Sequence, residues 1–142
     1  METIIADTGP LVAFLRRDDA DHEWAVSCFR EFTAPLLTCE AVLSEAMFLL
    51  SQSGGGVQKL TDLVDRGLVV LAFQLAAEWN PVSQLLARFD DVPMSLADAC
   101  LVRMTELRPN SHVFTLDSDF KLYRRNRRQI IPLISPDPSR KR

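Results

Sequence analysis

Short apolar runs alternate with longer segments of helical periodicity along this chain. Five runs rich in Val, Ile, Leu and Phe predict buried strands; they cover residues 3–6, 35–38, 68–73, 112–116 and 129–132. Between them, apolar residues recur at three- and four-residue spacing. This spacing predicts helices over residues 10–15, 22–32, 39–50, 57–66, 76–89 and 95–107, with a helical turn at 120–123. The alternation predicts an α/β fold, in which a five-stranded parallel sheet carries helices on both faces.

Length and composition are those of one soluble domain. The chain has 142 residues, of which 47% are apolar and 25% are charged. No apolar stretch approaches the ~20 residues that span a bilayer, and the N-terminal sequence lacks the features of a signal peptide. Cys28, Cys39 and Cys100 are odd in number and widely spaced, so we interpret them as buried small hydrophobes. We expect a cytoplasmic protein with no membrane partner.

The charge is divided unevenly along the chain. Residues 121–142 contain eight Lys or Arg and one Asp, for a charge of +7, whereas residues 1–120 carry −10. This separation indicates a charged partner. Prolines near the C-terminus predict a flexible basic tail over residues 134–142, which leaves residues 1–133 as the folded domain. Four arginines lie within that domain, between two apolar segments: Arg124, Arg125, Arg127 and Arg128.

Two acidic residues follow predicted strands. Asp7 comes directly after the run at residues 3–6, and Asp117 follows residues 113–116, with Asp119 close behind. Sites in open parallel sheets form at the carboxyl ends of the strands, near the point where the strand order reverses. We therefore expect Asp7 and Asp117 to lie at one edge of the sheet.

Two further acidic residues lie inside predicted helices. Val42, Glu45, Ala46 and Leu49 follow the spacing of one helix face, which places Glu45 within or beside the buried stripe. Asp98 similarly precedes apolar residues on one face of its helix. A buried carboxylate is costly without a counter-charge, and a divalent cation would offset that cost. Oxygen ligands without His or Cys suit Mg²⁺ or Mn²⁺.

Most of these acids also have a structural interpretation. Asp7 could cap the helix that follows it, and Asp98 stands three residues after Ser95, as in a capping box. The acidic pair that follows the fourth strand resembles ordinary turn and cap residues. Glu45 is the hardest to explain by structure alone. One shared metal site would account for all of the acids together.

Four segments resemble, in order, the successive motifs of PIN domains: residues 5–11, 43–45, 95–99 and 115–120. The chain most resembles the VapC-type toxins, from about residue 3 to residue 133. The resemblance implies a five-stranded parallel sheet, cleavage of RNA with Mg²⁺ or Mn²⁺, a homodimer, and inhibition by an antitoxin protein. It also implies the catalytic and metal-binding residues: Asp7, Glu45, Asp98 and Asp117, with Asp119 at a more variable fifth position.

The leading hypothesis is therefore a single-domain endoribonuclease that hydrolyses RNA phosphodiester bonds, the toxin of a type II toxin–antitoxin system. The alternatives are a housekeeping PIN nuclease, or a PIN module that binds or regulates without catalysis. A phosphoacceptor receiver domain also clusters Asp residues near strand ends, but it would give Glu45 no role. A receiver domain also requires a Lys after a late strand, and Lys121 is the internal candidate at that place.

Two surfaces are expected to serve partners. The arginines at residues 124–128 are predicted to lie at the rim of the acidic site, where they would contact RNA phosphates. Alternatively, they form ion pairs with the acidic helices. Large apolar residues in the first two helices exceed what one sheet face needs. We expect part of this apolar surface to be covered by a second copy or by an antitoxin.

Overall fold

The computed structural model describes residues 2–136, which form one sheet of five strands, a small hairpin and six α-helices. The strands are β1 Thr3–Ala6, β2 Leu36–Thr38, β3 Val69–Leu71, β4 Ser111–Phe114, β5 Arg124–Arg125, β6 Gln129–Ile130 and β7 Leu133–Ile134. The helices are α1 Thr8–Leu15, α2 His22–Glu31, α3 Glu40–Leu50, α4 Gly56–Asp65, α5 Trp79–Arg88 and α6 Leu96–Leu107, with a 3₁₀ helix at Ser118–Lys121. None of these helices is long and apolar enough to cross a membrane.

The five-stranded sheet is parallel, in the order β3-β2-β1-β4-β7. Its centre is β1, where Ile5 pairs with Leu37 of β2 and with Val113 of β4. From β1 the chain runs outward through β2 to β3, and then returns to build β4 and β7 on the other side. The strand order therefore reverses between β1 and β4, which opens a crevice at their carboxyl ends. The predicted α/β fold with a five-stranded parallel sheet is confirmed.

Both faces of the sheet are covered. Ile4, Ile5 and Ala6 are all buried, although successive side chains of a strand point to opposite faces. On one face, the fully buried Phe114 lies at the centre of an aromatic cluster. Its ring centroid is 5.2–5.7 Å from those of Trp24, Phe29 and Phe32. Full burial of a side chain such as Phe114 contributes about 1.5–3 kcal/mol to stability. Its three aromatic partners are partly buried against it, so this cluster holds α2 against β4.

The prediction for the last strand was wrong. Residues 129–132 were expected to complete the sheet, but β6 pairs antiparallel with β5 in a separate hairpin. The fifth strand of the sheet is β7, in which Ile134 pairs with Phe114. Ile130, with 70% of its surface exposed, shows that the apolar run begins outside the core. The predicted domain end at residue 133 falls inside β7, and residues 137–142 of the predicted tail lie outside the described residues.

Gly67 and Pro81 mark the end of one helix and the beginning of another. Gly67 has φ +73°, a left-handed conformation that glycine adopts without strain, and it follows the C-cap of α4. Pro81 lies in the first turn of α5, where its missing N–H costs no hydrogen bond. The helix predicted over residues 76–89 therefore begins later, at Trp79.

Candidate active site

The five acidic residues singled out from the sequence line one pocket of about 450 Å³. The pocket lies at the carboxyl ends of β1 and β4, where the strand order reverses. Gly9 allows α1 to begin close to the segment after β4, because a Cβ atom at this position would lie 3.2 Å from the Leu116 side chain. The pocket is lined by Asp7, Thr8, Gly9, Glu45, Pro93, Ser95, Asp98, Leu116, Asp117 and Asp119.

Asp7 joins β1 to α1 and is buried. Its Oδ1 accepts a hydrogen bond from the backbone N–H of Thr8 at 2.8 Å and caps α1, while Oδ2 accepts one from the Thr115 hydroxyl at 2.7 Å. Burial raises the pKa of Asp7 to about 6; the two hydrogen bonds oppose this rise, and the charges of Asp98 and Asp117 add to it. The carboxylate is thus held in one orientation, in a buried environment that disfavours its ionised form.

Asp98 lies in the first turn of α6 and is also buried. It forms the predicted capping box: the Ser95 hydroxyl accepts from the N–H of Asp98 at 3.0 Å, and Asp98 Oδ2 accepts from the N–H of Ser95 at 3.4 Å. The same Oδ2 accepts a hydrogen bond from the Tyr123 hydroxyl at 2.8 Å. Burial raises the pKa of Asp98, and the Tyr123 hydrogen bond opposes that rise. Asp98 therefore both caps α6 and lines the acidic pocket.

Glu45 is more exposed than the helix pattern suggested. The buried stripe of α3 consists of Val42, Ala46 and Leu50, while Glu45 is exposed beside it. The expectation that Leu49 shares the buried face was wrong, since 41% of its surface is exposed. Glu45 nevertheless faces the pocket, where its Oε2 accepts a hydrogen bond from the Thr8 hydroxyl at 3.0 Å.

The segment after β4 supplies the remaining carboxylates. Asp117 Oδ1 accepts from the backbone N–H of Asp119 at 2.9 Å and caps the 3₁₀ helix. The Thr115 hydroxyl accepts from the N–H of Asp117 at 2.9 Å while it donates to Asp7. Thr115 therefore couples the end of β4 to the end of β1 and sets the spacing of two pocket acids.

A shared pattern emerges from these contacts: three of the carboxylates each accept a hydrogen bond from one side-chain hydroxyl. Thr115 donates to Asp7, Thr8 to Glu45, and Tyr123 to Asp98. The sequence places Thr8 and Thr115 beside acidic positions. It gave no signal for Tyr123, which lies 25 residues from its partner and reaches it only through the fold.

The donor chemistry of the pocket fits Mg²⁺ or Mn²⁺, which prefer carboxylate oxygens. Within residues 2–136, Asp98 Oδ1, Asp117 Oδ2 and Glu45 Oε1 accept no hydrogen bond, so they can serve as ligands. In this part of the chain, no three His, Cys, Asp or Glu side chains already converge on one point. Carboxylates repel one another in the absence of a cation, and the broad terminal torsions of Asp and Glu allow them to turn toward one that binds.

The arginines at residues 124–128 do not line the acidic pocket. They form no ion pair with an acidic helix within the described residues, so the alternative expectation of such pairing is not met. Arg125 donates instead to the backbone carbonyl of Thr105 at 3.4 Å, near the C-terminal end of α6. Neither His22 nor His112 contributes to the pocket lining.

Comparison with known proteins yields a match in structure alone. No protein-family model matches the chain, and no curated protein matches its sequence. The structure is similar to that of VapC20 from Mycobacterium tuberculosis, described as a toxin that cleaves the sarcin-ricin loop. The TM-score is 0.75 at 21% sequence identity, with 84% of this chain and 94% of that chain covered. The chain therefore has the fold of a VapC-type PIN domain, as its four motifs predicted.

Proposed function

We propose that this protein is an endoribonuclease that hydrolyses RNA phosphodiester bonds with Mg²⁺ or Mn²⁺, and that it acts as the toxin of a type II toxin–antitoxin pair. The observation that carries the proposal is the acidic pocket: carboxylates from β1, α3, α6 and the segment after β4 meet at the reversal of strand order. The similarity in fold to a toxin that cleaves RNA supports the same function.

The roles of the residues follow from their contacts. Asp7, Glu45, Asp98 and Asp117 would hold the cation, the last three through oxygens that accept no hydrogen bond, with Asp119 as a further ligand. The bound cation would activate a water molecule and stabilise negative charge on the phosphate. The three hydroxyl donors orient the carboxylates before the cation binds, which reduces the reorganisation that binding requires. No nucleophile from the protein is needed in this scheme.

A cleavage assay with labelled RNA and Mn²⁺ tests the activity. We expect cleavage by the wild type, and its loss in Asp7→Asn and in Asp98→Asn, each of which should remain folded. Asp62→Asn, an exposed substitution in the middle of α4, is the matched control and should retain full activity. A sarcin-ricin loop hairpin is a suitable first substrate beside an unstructured RNA. Full activity of both pocket variants at saturating metal would refute the site.

Toxin function requires a separate test, because a housekeeping nuclease would share the same pocket. We expect induced expression of the wild type to arrest growth, and Asp98→Asn to relieve the arrest. Co-expression of the reading frame immediately upstream should also relieve it if that frame encodes the antitoxin. Activity in vitro without growth arrest would favour the housekeeping nuclease, and absence of both would favour a binding or regulatory module.

An apolar groove of about 390 Å³ supports the proposal that a protein partner binds. Phe14, Phe29 and Phe32 line it, as expected for the surplus apolar residues of the first helices. Leu11 and Val12, which were expected on the same surface, are buried in the core. Sedimentation of the wild type at tens of micromolar, alone and with a candidate antitoxin, tests this. Sedimentation as a monomer, with no complex formed with the candidate antitoxin, would contradict the proposal that this groove binds a protein partner.

A further inference from the structure

The positive charge of the described residues is concentrated on one small element. Residues 121–130 contain five Lys or Arg and no Asp or Glu, whereas the other described residues carry a net charge of −10. An acidic body around an acidic pocket repels a polyanion. Any RNA that reaches the pocket must therefore gain its electrostatic attraction elsewhere, and this element is the largest local source.

Residues 124–130 of this element form a constrained hairpin rather than a loose loop. β5 and β6 pair through Arg124 with Ile130 and Arg125 with Gln129. Asn126 and Arg127 take positive φ values of 48° and 73° in the turn, which is the geometry of a tight hairpin. Such a turn holds its side chains outward at fixed positions, and both arginines of the turn are exposed: Arg127 and Arg128.

The hairpin is anchored to α6, the helix that also carries Asp98. The N–H of Asn126 donates to Glu106 Oε2 at 2.6 Å, and Arg125 donates to the carbonyl of Thr105. Thr105 lies seven residues beyond Asp98, which corresponds to about 10 Å along the helix. At the other end, the hairpin begins one residue after Tyr123, whose hydroxyl contacts Asp98. The hairpin therefore stands beside the pocket at a fixed distance.

A polar cleft of about 190 Å³ adjoins the hairpin, between α5 and α6. Its acidic residue Glu106 is already paired with Arg103 at 3.2 Å, and Arg103 also pairs with Glu78 at 2.7 Å. Arg88 and Arg127 face the same cleft, and neither forms an ion pair within the described residues. The cleft thus presents two uncompensated guanidinium groups, which suit phosphate oxygens.

We infer that the hairpin at residues 124–130, together with Arg88, is the surface that binds the phosphate backbone of the RNA beside the acidic pocket. The inference rests on the proposed function and specifies how an acidic nuclease holds its substrate. Contacts of this kind supply affinity and position the strand, but they carry no sequence information.

The test measures binding of a short oligouridylate in EDTA, so that no cleavage occurs, over a range of salt concentrations. Arg127→Gln with Arg128→Gln should weaken binding by about five- to tenfold and reduce the slope of log K against log salt by about 1.4, since each phosphate contact on a single strand contributes about 0.7. Arg17→Gln with Arg66→Gln makes the same charge change at exposed sites elsewhere and should leave the slope unchanged. The double variant Arg127→Lys with Arg128→Lys keeps the positive charges and should retain the wild-type slope.

Two outcomes would overturn the inference. An unchanged slope in the hairpin variant, with or without a fall in melting temperature, would show that the arginines do not contact RNA phosphates. They would then serve the stability of the fold or bind an acidic protein partner. An equal loss in the Arg17 and Arg66 control would show that only total charge matters. Because binding is measured without metal, a protein that cleaves no RNA but shows the hairpin-dependent slope would contradict the proposed function and leave this inference standing.

Discussion

Replacement of Asp7 by Asn should stabilise the metal-free protein while it abolishes catalysis. Burial raises the pKa of Asp7 from 3.8 to about 6. A difference of about two pKa units corresponds to about 3 kcal/mol of unfavourable free energy once the group is ionised. Asn removes the charge and keeps an oxygen for the N–H of Thr8, but the Thr115 hydroxyl loses its acceptor, which costs about 1 kcal/mol. A net gain of about 2 kcal/mol remains.

The sign and pH range of this effect follow from proton linkage. Because its pKa is higher in the folded state, Asp7 takes up a proton on folding between pH 3.8 and about 6. The wild type therefore gains stability as the pH falls through 6, and it is penalised in full above that value. The advantage of Asp7→Asn should be largest at neutral pH and should disappear at about pH 4 to 5, where the remaining penalty no longer exceeds the cost of the lost Thr115 hydrogen bond. Well below pH 3.8 the wild-type carboxyl is protonated in both states, and no penalty remains.

Thermal unfolding of both proteins in EDTA measures the difference directly. For a domain of this size about 1 kcal/mol shifts the melting temperature by about 4 °C, so we expect Asp7→Asn to melt about 8 °C higher at neutral pH. Asp62→Asn, exposed on α4, should show no such pH-dependent gap. A gap that does not change with pH, or a variant less stable than the wild type at neutral pH, would refute the argument that Asp7 is buried at an electrostatic cost.

Three further predictions concern the same pocket. Tyr123→Phe removes a buried hydrogen bond to Asp98 that is worth about 1.5–3 kcal/mol. Because this bond opposes the rise in the pKa of Asp98, its loss should move the acidic limb of the pH–rate profile to higher pH. The affinity for Mn²⁺, measured by calorimetry, should also fall. Glu45→Gln should reduce cleavage but change the unfolding free energy by less than about 0.5 kcal/mol in denaturant titrations, because Glu45 is exposed. Mn²⁺ at about a hundredfold excess over its dissociation constant should stabilise the wild type by about 2.7 kcal/mol in thermal scans, and Asp7→Asn much less.

The fold could be predicted from the sequence where the apolar pattern was strong. Strands β1, β2 and β4 are largely buried, and β3 lies in an apolar run although Leu71 is exposed, so apolar runs mark all four strands clearly. The C-terminal strands are two residues each, shorter than any period that a pattern can show. Their partners are set by contacts such as the N–H of Val113 to the carbonyl of Pro132 at 2.9 Å, which sequence periodicity does not encode.

The candidate site was predicted by the positions of its acids and not by their environments. Asp7 and Asp117 follow strands that the fold places side by side, so topology alone brings them together. Whether a helical acid is buried depends on which neighbouring helix covers it: Asp98 is buried and Glu45 is exposed, although both had similar helical patterns. Tyr123 was missed for a related reason, since nothing near it in sequence identifies Asp98 as its partner.

The inferred RNA surface and the acidic pocket are linked by one stretch of chain. Thr115 and Asp117 define the acidic side, and Tyr123 then reaches Asp98 before Arg124 begins the basic hairpin. The hydrogen bond that orients Asp98 therefore also limits how far the hairpin can move from the pocket. A strand held by the hairpin would be presented to carboxylates that would otherwise repel it, and a cation among those carboxylates would remove the repulsion at the cleaved phosphate. Under the proposed function the uneven charge of the sequence would be a requirement of the chemistry, because one molecule would hold both a cation and a polyanion.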